Sequence, residues 1–196
     1  MLNSICFLDS EQLEKFIQRE NEILNLIKSS QPKHIIKIID TWTENADFAF
    51  IQMELSDDNL FNVLVQKCHS FGRTEGEPMN SLEFFISCKM FEEMTEGIVY
   101  LHYALKPSLI HRNMKPDNVL IRKDTDGLTL KITDFNLSLP RDFTIHPLNK
   151  KNRRFIAPEV KEKDKYSIEA DVYSLGVIGW QIFFDIIYDA KKTVLR

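Results

Sequence analysis

Between Glu11 and Ser29, apolar residues recur as Leu13, Phe16, Ile17, Leu24 and Ile27, the spacing of one helical face, with Asp9 or Ser10 available as N-cap. The stripe predicts a helix and places Glu20 on its inward side, three residues after Ile17 and four before Leu24. A carboxylate in that position calls for a cationic partner. Two β-rich runs follow, "HIIKIIDTW" at His34 to Trp42 and "FAFIQME" at Phe48 to Glu54. Joined by the short polar "TENA", they predict an antiparallel hairpin.

Beyond the hairpin, "LSDDNLFNVLVQKC" predicts a short helix and "HSFGRTEGEPMN" a loop. Asn80 with Glu83 has the form of a capping box, opening a helix from about Ser81 to Tyr103. Val119 to Arg122 and Leu128 to Thr133 read as short strands around the turn "DTDG". The apolar run "SLGVIGWQIFF" at Ser174 to Phe184 reads as a buried helix, shorter than the roughly 18 residues of a membrane span. There is no internal repeat or low-complexity tract.

Composition narrows the classes. With 196 residues, 43% hydrophobic and 28% charged, the chain has the make-up of a globular domain able to bury a core. A net charge of -4, from 25 basic and 29 acidic residues, lacks the basic excess of a nucleic-acid binder, so no nucleic-acid partner is expected. Cys6, Cys68 and Cys88 are odd in number and without metal-ligand spacing, which predicts a reduced, intracellular protein: cytoplasmic, with the nucleus not excluded. The opening "MLNSICFLDSEQ" lacks the basic start of a signal peptide, and no membrane partner is expected.

Four segments bear chemistry: "HRNMKPDN" from His111, "ITDFNLS" from Ile132, "RFIAPEV" from Arg154 and "EADVYSLGV" from Glu169. In this order and spacing they resemble the catalytic loop, metal-binding turn, activation-segment end and central-helix start of the eukaryotic protein kinases. The resemblance runs from about Glu11 to Tyr188, and Lys115 within "KPDN" resembles Ser/Thr rather than Tyr kinases. It implies an α+β, kinase-like fold in partial form. Residues 1–54 would be the remnant of an N-lobe with helix C and a β-hairpin, and 55–196 a mainly helical C-lobe lacking its last helices.

The resemblance also assigns roles. Asn118 and Asp134 match magnesium ligands, hard oxygen donors suited to that ion, and Lys115 matches the lysine at the transferred phosphate. Met53 resembles the gatekeeper, Glu54 and Leu55 the hinge whose backbone would bond adenine, and Leu120 the floor beneath that ring. Glu20 resembles the helix C glutamate that pairs with a strand lysine. Leu24, Ile38, His111 and Phe135, anchored by Asp171, resemble the internal spine joining the lobes. Arg112 resembles the arginine that grips a phosphorylated activation segment, with Thr144 as an available acceptor, although a solvated loop threonine is the plainer reading of that residue. ATP and magnesium are the implied cofactors, and a protein substrate or protein binding partner the implied partner.

The departures are as informative. Asn113 stands where the family has the carboxylate that accepts the substrate proton, and an amide has neither the charge nor the basicity for that task. General-base help is worth roughly 10² to 10⁴ in rate, about 3 to 5 kcal/mol of barrier. Asn136 replaces the glycine of the metal-binding turn, a milder change because Asn tolerates positive φ, and Asn152 replaces a threonine beside the substrate. The sequence has no glycine before Gly72, hence no Gly-rich phosphate loop is expected, no lysine before Lys28 sits on a β-run that could serve as the lysine strand, and Glu159 of "APE" lacks the later arginine it would pair with.

Three readings follow. The leading one is a truncated, impaired pseudokinase acting by protein binding. The second is a low-activity Ser/Thr kinase whose longer form supplies the missing strands, and the third is a nucleotide-sensing switch resting on Lys115, Asn118 and Asp134.

Overall fold

The computed structural model describes residues 22–30, 32–44, 48–74, 76–125, 127–135, 139–140, 153–163 and 166–185. Glu20, Asn136, Thr144 and Asn152 lie outside them, as does most of the first predicted helix.

The described part of that helix, α1, spans 22–30. Its inward stripe, Ile23, Leu24 and Ile27, is buried as the spacing requires. The hairpin follows as β1 (Ile38–Glu44) and β2 (Phe48–Met53), antiparallel, with Ile38 opposite Met53 and a register shift between Ile38 and Asp40. His34 to Lys37 are not part of its strands, contrary to the expectation that the strand starts at His34, although the Lys37 carbonyl still accepts from the Glu54 N–H just past β2 at 3.0 Å. Ile35 and Ile36 are both buried, which the alternation of a two-strand ribbon does not allow, and this stretch pairs elsewhere. The Ile36 N–H donates to Ile132 O at 2.9 Å, and the Ile132 N–H donates to His34 O at 2.9 Å.

A two-residue strand, β3 (Asp58–Asn59), leads into α2 (Leu60–Ser70), whose first turn is capped by Asn59 Oδ1 accepting from the Asn62 N–H at 3.0 Å. The long helix α3 (Ser81–Val99) starts where Asn80 predicts, with Asn80 Oδ1 accepting from the Glu83 N–H at 2.8 Å. The second half of the expected capping box is absent. The Glu83 carboxylate turns inward to Arg73 and Lys67. Past Val99 the helix widens into a π-helical turn, Tyr100–Ala104.

The strand β4 (Leu109–Ile110) pairs with β7 (Leu139–Pro140), and between them β5 (Val119–Asp124) and β6 (Gly127–Ile132) form the expected hairpin. Gly127 closes its turn at φ 128°, a region that favours glycine. β3 adds to the free edge of β5, giving the order β3-β5-β6. Two further helices complete the described chain, α4 (Pro158–Lys163) and α5 (Ile168–Phe184).

α3 packs against both α5 and β6. The approach to β6 depends on Gly97, where a Cβ would lie 2.7 Å from Ile132 Cδ1 and 3.0 Å from His34 O. The expectation of a buried α5 holds for one face only: Ala170, Leu175, Ile178 and Ile182 are buried, while Tyr173, Trp180 and Phe184 are exposed. A uniformly apolar run has no polar stripe from which to tell its covered face. No helix among the described residues is long and apolar enough to cross a membrane.

Candidate active site

Between β4 and the 3-10 turn Pro116–Asn118 the loop 111–115 is irregular backbone, so its shape depends on what anchors it. That anchor is Asp171, fully buried in the first turn of α5. Its carboxylate accepts from the backbone N–H of His111 at 2.7 Å, from that of Arg112 at 2.8 Å and from His102 Nε2 at 2.8 Å. Arg112 is thereby held at φ 68°, a left-handed conformation that costs a non-glycine residue energy and persists because the carboxylate fixes it.

His111 is buried beside Phe135, with ring centroids 5.3 Å apart in an edge-on arrangement. Burial holds its imidazole below the ordinary histidine range, against the pull of Asp171, so the ring is neutral. One tautomer satisfies both nitrogens. Nε2–H donates to Thr133 O at 2.9 Å, and Nδ1 accepts from the Asn113 N–H at 3.2 Å. Leu24, Ile38, Phe135, His111 and Asp171 are all buried, and the last three form one connected set.

Asn113, Asn118 and Asp134 meet at a single oxygen. Asn113 Nδ2 donates to Asp134 Oδ2 at 2.7 Å, and Asn118 Nδ2 donates to the same oxygen at 3.0 Å and to Asn113 O at 2.8 Å. Asp134 itself sits at φ 67°. The backbone holds the two strands of this site together, since the Thr133 N–H donates to Asn118 O at 3.0 Å. Half-buried Lys115 precedes the short 3-10 turn Pro116–Asn118 and accepts from the Asn118 N–H through its carbonyl at 3.0 Å.

Of the residues expected around adenine, Met53 lies beside this cluster, its sulfur accepting from Thr133 Oγ1 at 3.9 Å. Leu120 is half-buried on β5, and Leu55 is exposed. The Glu54 N–H is consumed by Lys37 O at 3.0 Å. Its carboxylate faces another way, toward Arg122, Lys131 and the Lys37 N–H. Burial raises the Glu54 carboxyl, but these three donors outweigh it and hold the group below its ordinary range.

Arg112 places its guanidinium over the Tyr166 ring, 3.8 Å from the centroid, and burial lowers its pKa. Glu159, in the first turn of α4, makes no ion pair with another described residue.

The motifs did not disclose a buried ion cluster. Glu83, fully buried, receives both Arg73 Nε and Nη2 at 2.5 Å and Lys67 Nζ at 3.0 Å, and Arg73 also donates to Asp185 Oδ2 at 2.6 Å. The Arg73 bond drives the Glu83 carboxyl down and, reciprocally, the Arg73 guanidinium up. One signal was present: Glu83 falls on the inward stripe of α3 with Ser87, Met90 and Met94, the same inference that singled out Glu20.

The fold, the anchored loop and the Asn118–Asp134 pair can be set beside known proteins. A family model described as "Protein kinase domain" matches residues 7–193. This chain belongs to the protein kinase domain family.

Among its relatives, the Dictyostelium discoideum protein described as probable serine/threonine-protein kinase drkD is 25% identical over 192 residues, 98% of this chain and 14% of that protein. Human mitogen-activated protein kinase kinase kinase 7 is 38% identical over 91 residues, 46% of this chain and 14% of that protein. The stretch matched by this chain thus spans about one seventh of the length of either relative. A chain of the crystal structure of the yeast RNA Pol II CTD kinase CTDK-1 complex shares its fold, with a TM-score of 0.61 and 21% identity over 93% of this chain and 52% of that one.

Proposed function

We propose that this kinase domain is a pseudokinase-like Ser/Thr relative that acts by binding other proteins, with phosphoryl transfer absent or strongly impaired. The supporting observation is the bond from Asn113 Nδ2 to Asp134 Oδ2 at 2.7 Å. In an active loop residue 113 would accept a proton from the substrate hydroxyl. Here the side chain is a donor, and its hydrogen is spent on the carboxylate that would hold metal.

The donor set still suits magnesium. Asn118 Oδ1 and the Asp134 carboxylate are hard oxygens, and magnesium is commonly held by one or two protein oxygens together with substrate phosphates. Bound there, the ion would neutralise charge on the phosphates of ATP. Asn118 and Asp134 would hold it, Lys115 would face the transferred phosphate, and the Asn113 and Asn118 amides would compete for Asp134 Oδ2. A cytoplasmic location belongs to the same proposal, in keeping with the free thiols of Cys68 and Cys88.

The deciding experiment is a phosphate-transfer assay with magnesium ATP and a mixed Ser/Thr peptide library, run on the chain and on Asp134→Ala and Asn113→Asp. The expected result is no turnover that depends on Asp134. Robust magnesium-dependent transfer abolished by Asp134→Ala would overturn the proposal.

A second reading, a slow Ser/Thr kinase, is favoured by the intact placement of Asn118 against Asp134. It requires Asn113→Asp, in the full-length product, to raise turnover by roughly 10²-fold or more.

A further inference from the structure

A cavity of about 590 Å³ opens between the start of β1 and the β5-β6 hairpin. None of Asn113, Lys115, Asn118 and Asp134 lines it. Its walls carry four cations, Lys33, Lys37, Arg122 and Lys131, against two carboxylates, Glu54 and Asp124. In a chain of net charge -4 this local surplus is not a background property.

The surplus is also built. Glu54 accepts from Arg122, from Lys131 Nζ at 3.1 Å and from the Lys37 N–H at 2.9 Å, so one carboxylate orients two cationic heads from adjacent strands. Glu54 engages a single nitrogen of Arg122, a side chain with five N–H donors in a fixed fork. Asp124 is occupied by Thr129 Oγ1 at 3.3 Å. Lys33 and Lys37 are exposed, and neither ammonium makes a hydrogen bond or ion pair with another described residue, although Lys33, after Lys89, helps to lower the Glu92 carboxyl.

An apolar element stands among these charges. The register shift between Ile38 and Asp40 leaves Ile39 unpaired and turned outward, 43% exposed, on the cavity wall. A simple anion would have no use for it. Cations drawn from three chain segments around one exposed aliphatic side chain match an extended peptide that alternates acidic and apolar residues.

We propose that this cavity is a docking site for an acidic peptide segment of a partner protein. Its carboxylates would engage Lys33, Lys37 and the unspent donors of Arg122, while an apolar side chain would cover Ile39. The site is separate from the catalytic loop and independent of whether that loop is active.

The test is fluorescence anisotropy of the whole chain with a labelled peptide alternating Glu and Leu, beside a counterpart alternating Gln and Leu. The acidic peptide should bind, the neutral one should not, and affinity should fall as salt is raised. Lys33→Glu with Lys37→Glu should weaken binding at least about tenfold, Lys33→Gln with Lys37→Gln should weaken it less, and Lys161→Glu should leave it unchanged. Equal binding of the two peptides, indifference to both double variants, or binding of pyrophosphate with none of the acidic peptide would each overturn the proposal.

Discussion

Asn113 Nδ2 donates to Asp134 Oδ2 across 2.7 Å, so Asn113 meets its neighbour as a hydrogen donor. Replacing it changes two things together. Asn113→Asp introduces a carboxylate and removes that donor, setting two carboxylates at hydrogen-bond distance. Without metal, the like charges should cost about 1–2 kcal/mol at pH 7, and magnesium should return most of it. Urea titrations with magnesium and with chelator would check this; equal midpoints in both conditions would contradict the geometry.

Glu83 is fully buried and neutralises two buried cations, Arg73 and Lys67, both of which also reach Asp185, at 2.6 Å and 3.4 Å. Glu83→Ala would leave both to share the single carboxylate of Asp185, and loss of one member of a buried ion cluster costs about 3–5 kcal/mol. Glu83→Gln keeps an acceptor and should cost less. Denaturant midpoints of the two variants would test the ordering.

Acid should weaken the fold before the carboxylates titrate. The buried His111 ring stays neutral, held below its ordinary value of 6.5, whereas the unfolded chain takes up a proton there. Its contribution is complete above 6.5 and declines as pH falls from 6.5 toward the lower folded value, by at most about 1.4 kcal/mol per unit. Unfolding midpoints between pH 7 and 5 should therefore drop, and His111→Leu should lessen the slope. A flat profile in the parent chain would sink the assignment.

Gly97 is where α3 comes closest to its neighbours. A methyl there meets Ile132 Cδ1 at 2.7 Å and the backbone oxygen of His34 at 3.0 Å. The Ile132 tip can rotate away, but His34 O is tied to the Ile132 N–H. Gly97→Ala should thus destabilise by about 1–3 kcal/mol despite its better helix propensity. A thermal melt at or above that of the parent would show that the helix can shift.

Much of this was legible in the sequence because local rules were at work. Asn80 announced the start of α3, "DTDG" the reversal between β5 and β6, and two of the four motifs, "HRNMKPDN" and "ITDFNLS", supplied the Asn113, Asn118 and Asp134 that meet in one place. The rest depended on partners distant in sequence. The Arg73–Asp185 bond spans 112 positions, and no periodicity in either segment anticipates it. Nor could a motif show that Asn113 would turn its amide toward Asp134, or that Glu54 would turn its carboxylate toward Arg122. Those choices are settled by which donors lie within reach after folding.

Asp171 holds the loop through the main-chain N–H groups of His111 and Arg112 and through His102, and none of these contacts involves the side chain of residue 113. The form of the loop and its reactivity are therefore inherited separately. A change at position 113 can silence the chemistry without loosening the shape, and surfaces elsewhere on the domain keep the frame that presents them. In such a molecule a substitution at position 113 leaves every one of these anchoring contacts in place.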